Sequence, residues 1–84
     1  MAKLKITKAG GDVVEQKITP LVEFAFEKEW KVGYYKALTE DPKQTYIYWL
    51  AWKCLSLVED VPLFGDKFIE RLESVEVLAD DPNQ

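Results

Sequence analysis

One run, TYIYWLAWKCLSLVED from Thr45 to Asp60, limits what this chain can become. From Tyr46 to Val58, eleven of thirteen residues are apolar, and only Lys53 and Ser56 interrupt them. A membrane span needs about 20 consecutive apolar residues, so the run is too short and too broken to be one. A helix this apolar is surrounded on most sides. The rest of an 84-residue chain must therefore wrap around it. A chain of this size holds one domain and one modest core, burying roughly 60–65% of its unfolded surface.

Advancing about 100° per residue from Tyr46 puts Tyr46, Leu57, Leu50, Cys54, Ile47, Val58 and Ala51 within about 140°, a core face. Leu55, Tyr48 and Trp52 form a second apolar flank. Thr45, Trp49, Lys53 and Ser56 fill a narrow polar strip. Trp49 in that strip is either stacked under the Lys53 stem or exposed for a partner. Tyr48 and Trp52 read first as internal packing or a homo-oligomer contact; the partner-anchoring role is the alternative for these two, because Tyr and Trp bury much area at little rotamer cost. Cys54 reads as a small buried hydrophobe.

The flanking segments supply the wrapping. Lys3–Thr7 and Val13–Ile18 alternate polar and apolar residues around KAGGD, which predicts a β-hairpin turning at Gly10–Gly11. Leu4, Ile6, Val14 and Ile18 would share its dry face. Thr19-Pro20 is a cap followed by proline at the first helical position. The helix from there carries one stripe of Leu21, Phe24, Ala25 and Lys28 and a flank of Val22, Phe26 and Trp30. Glu27 and Lys31 are spaced to pair, and Gly33 is the expected stop. Tyr34 to Glu40 reads as a connector with room for one helical turn. Asp41-Pro42 repeats the cap-then-proline signal, and Pro62 blocks helix beyond Glu59. Asp66 is the expected cap of a third helix with Phe64, Phe68 and Leu72 in line. Ser74–Leu78 alternates like a short strand. The expected fold is α+β. A hairpin over about residues 3–18 packs on a small core of about three helices, at about 20–31, 42–59 and 66–73. A short extended segment completes a single domain over 1–79, and 80–84 form an acidic, frayed tail.

Function classes narrow by chemistry. Histidine is absent, which removes the commonest general base and zinc ligand. No set of converging acid and base stands out, so no enzyme, no cofactor and no metal site is expected. Gly10–Gly11 lacks the residues of a phosphate loop, and Glu76 with Asp80–Asp81 lacks the spacing of a calcium loop. The single cysteine allows no intrachain disulfide, in keeping with a reducing compartment. Met1 to Gly10 has no apolar stretch of the kind a secretory signal needs. The net charge of −4 is uneven: residues 59–84 hold eight acids against two bases, while residues 1–19 hold four lysines against two acids. Nucleic-acid binding is not expected from that balance, and no membrane association is expected from an apolar run this short.

Three segments together carry a family likeness: TPLVEFAFEKEW after the hairpin, YIYWLAWKCL, and LFGDKFIERLESVEVLADD. Their order resembles the small tail assembly chaperones of long-tailed bacteriophages, the group related to the lambda G-type protein. Trp49, Leu50, Ala51, Trp52 and Leu55 match that family's "AYLAWLAL"-like central helix. Phe64, Phe68, Ile69, Leu72, Val75, Glu76 and Val77 match its ending, "F-x-x-F-L-x-x-V-E-S-V-E-V". The likeness covers about residues 3–79 and rests on hydrophobic patterns.

The resemblance implies a non-enzymatic chaperone of virion assembly. It would coat the tape-measure protein in several copies or as a homo-oligomer and keep it soluble in the host cytoplasm. It would leave as tail-tube subunits polymerise, with the major tail-tube protein as a further candidate partner, so the mature virion would lack it. The partner-binding residues expected on this reading are Trp49, Trp52 and Tyr48, with Trp30, Tyr34 and Tyr35 as a second rim. The alternative is a small phage structural or adaptor subunit, or an inhibitor of a host protein, acting through stable protein–protein binding.

Overall fold

A computed structural model describes residues 2–79; the acidic tail over 80–84 lies outside them. The chain runs β1 (Lys3–Lys8), β2 (Val13–Lys17), α1 (Pro20–Trp30), α2 (Tyr34–Thr39), α3 (Gln44–Ser56), α4 (Asp66–Ile69) and β3 (Leu72–Leu78). The fold is α+β: one antiparallel sheet of order β2-β1-β3 with helices on one face.

The hairpin forms as its alternation predicts. Lys8 N–H donates to Asp12 O and Gly11 N–H to Lys8 O, each at 2.8 Å. Gly11 sits at φ 99°, a conformation that other residues adopt only with strain. Ile6 opposes Val14 on β2 and Val75 on β3, and Leu4 opposes Val77. Leu4, Ile6 and Ile18 are fully buried. The opposite face carries Lys3, Lys5, Glu15, Lys17 and Glu76, with Lys3 Nζ 3.2 Å from Glu15. One face is dry and the other solvated, as an antiparallel sheet allows.

The extended segment near the C-terminus is a full strand, and it pairs with β1 rather than merely following the helices. Its register slips once, between Thr7 and Lys8. The strand begins at Leu72, so the third helix is shorter than expected: α4 ends at Ile69 instead of about residue 73. The chain has to turn there to lay Val75 and Val77 beside Ile6 and Leu4. Phe68 is buried from the helix, and Leu72 reaches the same core from the strand. Gly65, and not Asp66, occupies the cap position of α4.

α3 is shorter than expected at both ends. Asp41-Pro42 does not start it: the cap is Lys43, and the Asp41 carboxylate lies 4.0 Å from Lys43 Nζ, away from the helix N–H groups. At the other end, Ser56 Oγ donates to Lys53 O at 2.8 Å, and Leu57 and Val58 close tight turns onto Cys54 and Leu55. A serine hydroxyl competing for a helix carbonyl is a common way for the last turn to deform. Leu57 and Val58 therefore leave the core face and are exposed.

α3 lies across the sheet and α1 packs on α3. Trp30 meets Tyr46, and Phe26 meets both Tyr46 and Trp49, so the two helices run antiparallel. α1 starts as expected: Pro20 is in the first turn, and Thr19 Oγ1 accepts from Val22 N–H at a long 3.5 Å. It stops two residues before Gly33, at Lys31, which takes the left-handed conformation at φ 58°. Glu27 then has no Lys31 to pair with along a continuing helix. Its carboxylate accepts from Tyr34 N–H at 2.8 Å, capping α2 where Gly33 has no side chain to do so. The expected connector is thus a short helix in its own right. No helix among the described residues is long and apolar enough to cross a membrane.

Candidate functional site: a groove between two helices

The buried side of α1 is the flank, Val22 and Phe26, while Leu21 and Phe24 of its stripe face outward. Leu21 is 56% exposed and Phe24 61%. The stripe ends in Lys28, and a lysine in line with Phe24 is the sequence signal that this side meets water. Next to that exposed stripe, α3 presents Trp52. Between the two helices runs an open groove of about 410 Å³. Leu21, Phe24 and Ala25 form one wall, and Trp49 and Trp52 form the floor and the other wall.

Trp49 does not stand out from the polar strip as an exposed anchor. It is 5% exposed. Its ring packs 6.0 Å from Phe26 and 5.8 Å from Trp52. The reason is that α3 is covered on two sides, by the sheet and by α1, so its buried arc is wider than one face of a wheel. The Lys53 ammonium lies 5.9 Å over the ring of Trp52. Trp52 is half-buried and held in place. Its Nε1–H donates to Pro62 O at 2.9 Å, and Phe64 packs edge-on at 6.2 Å. A fixed indole loses little further freedom when a partner covers it.

Lys28, Glu29 and Lys53 complete the lining. Lys28 Nζ sits 5.6 Å over the ring of Phe24. The antiparallel run of α1 and α3 sets Lys28 and Lys53 towards opposite ends of the groove.

The other expected contact residues lie elsewhere. Phe26 is the hub of a second aromatic cluster that holds Trp30, Tyr34 and Tyr46 at ring distances of 6.5, 5.9 and 5.3 Å. Trp30 and Tyr34 are therefore core-lining and only half-exposed. Trp30 Nε1 is buried without a hydrogen-bond partner among the described residues, which carries a desolvation cost. The Tyr34 phenol is pushed up to about 12, first by burial and then by the charge of Glu23 and by Cys54. Tyr35 is 77% exposed and stands apart from both clusters. The Tyr48 hydroxyl accepts from Gln44 Nε2 at 3.3 Å on the outer side of α3, away from the groove lining. Of the six expected residues, the groove gathers Trp49 and Trp52. Leu21 and Phe24 are lining residues that periodicity had put on the stripe of α1 but not among the expected contact residues.

Cys54 is buried, and its Sγ lies 3.8 Å from Lys17 O. Burial pushes its thiol up to about 11, the opposite of what a reactive thiolate needs. No family model, no curated protein and no solved structure matches the chain.

Proposed function

We propose that this protein is a non-enzymatic assembly chaperone that shields an apolar stripe of a partner in the groove between α1 and α3. The observation that carries this is the pairing of exposed Leu21 and Phe24 with a fixed Trp52 over a Trp49 floor. An isolated surface Leu or Phe is ordinary, but two beside a Trp along a groove form a patch of the kind that meets another protein. The three segments that resemble the phage tail assembly chaperones support the tape-measure protein as that partner. Such a partner has long apolar stripes that aggregate when bare, and an acidic coat keeps the covered stripe soluble. Several weakly held copies suit a coat that tail-tube subunits later displace in the host cytoplasm.

Co-expression with the tape-measure protein of the same genome tests this. The wild-type chain is expected to move the tape measure into the soluble fraction and to be missing from finished particles. Leu21→Ser/Phe24→Ser is expected to fold and to lose that effect. Retention of the chain in purified particles would instead make it a structural subunit.

A further inference from the structure

The groove has a charge pattern opposite to that of the molecule. The chain carries −4 overall, yet the groove sets two lysines against one glutamate. Lys28 and Lys53 rest over the rings of Phe24 and Trp52, which also wall the groove. Among the described residues neither ammonium has a carboxylate within 4.0 Å. The two cations at the ends of an apolar trough are thus held by aromatic faces alone, a weak hold at an exposed site.

The walls also limit the backbone that can lie there. Both are helix surfaces, so no row of main-chain N–H and C=O groups lines the trough. An extended peptide would lose its backbone hydrogen bonds to water with nothing in exchange. A helix satisfies its own. From Leu21 to Lys28 the wall is about 10 Å long, or two helical turns.

We propose that the groove takes an amphipathic helix of a partner protein whose apolar ridge is flanked by acidic side chains at both ends of a two-turn contact. The ridge fills the trough over Trp49. Lys28 and Lys53 swing from Phe24 and Trp52 to the flanking carboxylates. The inference rests on the proposed function only in taking the groove as a protein-binding site. A basic ridge of equal hydrophobicity binds more weakly because it sets both lysines against like charge, and a neutral one gives them no carboxylate to move to.

The test uses two synthetic helical peptides of about 18 residues, long enough to hold helix. They share one leucine ridge; one flanks it with glutamate and the other with lysine. Binding to the full chain is followed by tryptophan fluorescence. The acidic peptide is expected to bind about ten-fold tighter at low salt, with the gap closing as salt rises. Lys28→Glu/Lys53→Glu is expected to reverse the preference, and Phe24→Ser to abolish binding of both peptides; Leu21→Ser repeats that arm should Phe24→Ser fail to fold. Equal binding of the two peptides, or binding that survives both apolar substitutions, overturns the proposal. So does a concentration-dependent dimer that Phe24→Ser dissolves, which would make the occupant a second copy. Co-sedimentation with phosphatidylserine vesicles that is lost in Phe24→Ser would assign the groove to a membrane surface and likewise overturn it. Preference for the acidic peptide without tape-measure solubilisation would sink the proposed function and leave this inference standing. Solubilisation that needs Phe24 but ignores the Lys28 and Lys53 charges would do the reverse.

Discussion

The indole of Trp49 touches Phe26 on one side and Trp52 on the other, so it belongs at once to the core and to the groove floor. Trp49→Ala should cost about 3–5 kcal/mol, the usual range for deleting a buried Trp. That is a large share of the total stability of a chain this size, about 4–13 kcal/mol. Chemical denaturation should show the loss, whereas Phe24→Ser should stay within about 0.5 kcal/mol of wild type. A wild-type midpoint for Trp49→Ala would show that the indole packs elsewhere. Cys54 and Tyr34 predict a pH dependence. Both groups are neutral when protonated, and burial raises them from 9.0 to about 11 and from 10.0 to about 12. The unfolded chain gives up these protons first, so their contribution is full below about pH 9 and falls as pH rises towards 12. Urea midpoints should decline across that window. Cys54→Ala should flatten the lower part of the decline and Tyr34→Phe the upper part.

Lys31 ends α1 in a left-handed conformation that glycine adopts more easily. Lys31→Gly should therefore raise stability by about 0.5–1 kcal/mol, read as a higher melting temperature. An unchanged or lowered value would mean that the Lys31 side chain contributes more than its backbone costs. The helix ends are where sequence signals and structure part company. Thr19-Pro20 starts a helix because the cap and the proline act on the same turn. Asp41-Pro42 carries the same signal two residues too early, since Tyr46 must face Phe26 and Trp30, and the chain reaches that point in extended form. Gly33 looks like a stop and instead opens α2, with Glu27 of α1 as its cap. Such choices depend on a neighbour distant in sequence, which local propensity cannot name.

At the scale of the whole molecule, β3 is the element that closes the fold. It brings Val75 and Val77 onto the central strand, and a lone hairpin is not stable in water. A chain ending at Glu73 should lose cooperative unfolding by circular dichroism; a retained sharp transition would show that the helices suffice without it. The Lys8–Glu59 ion pair, at 2.9 Å, ties β1 to the segment after α3. Both side chains are partly exposed, so Lys8→Ala should cost less than about 1 kcal/mol. The hairpin, the dry face of Leu4, Ile6, Val14 and Ile18, the central position of α3 and the α+β class were all legible in the sequence. Period-two and period-3.6 patterns are local, and they report which side of each element is dry. Which partner covers that side is not local. Tertiary packing decided that β3 joins β1, that α3 is covered by both the sheet and α1, and that Val22 and Phe26 rather than Leu21 and Phe24 turn inward. That last choice emptied one wall of α1 beside Trp52 and drew Trp49 beneath it. The aromatic run therefore fixed by itself that α3 is the core helix, and only the docking of α1 decided which of its indoles borders the groove.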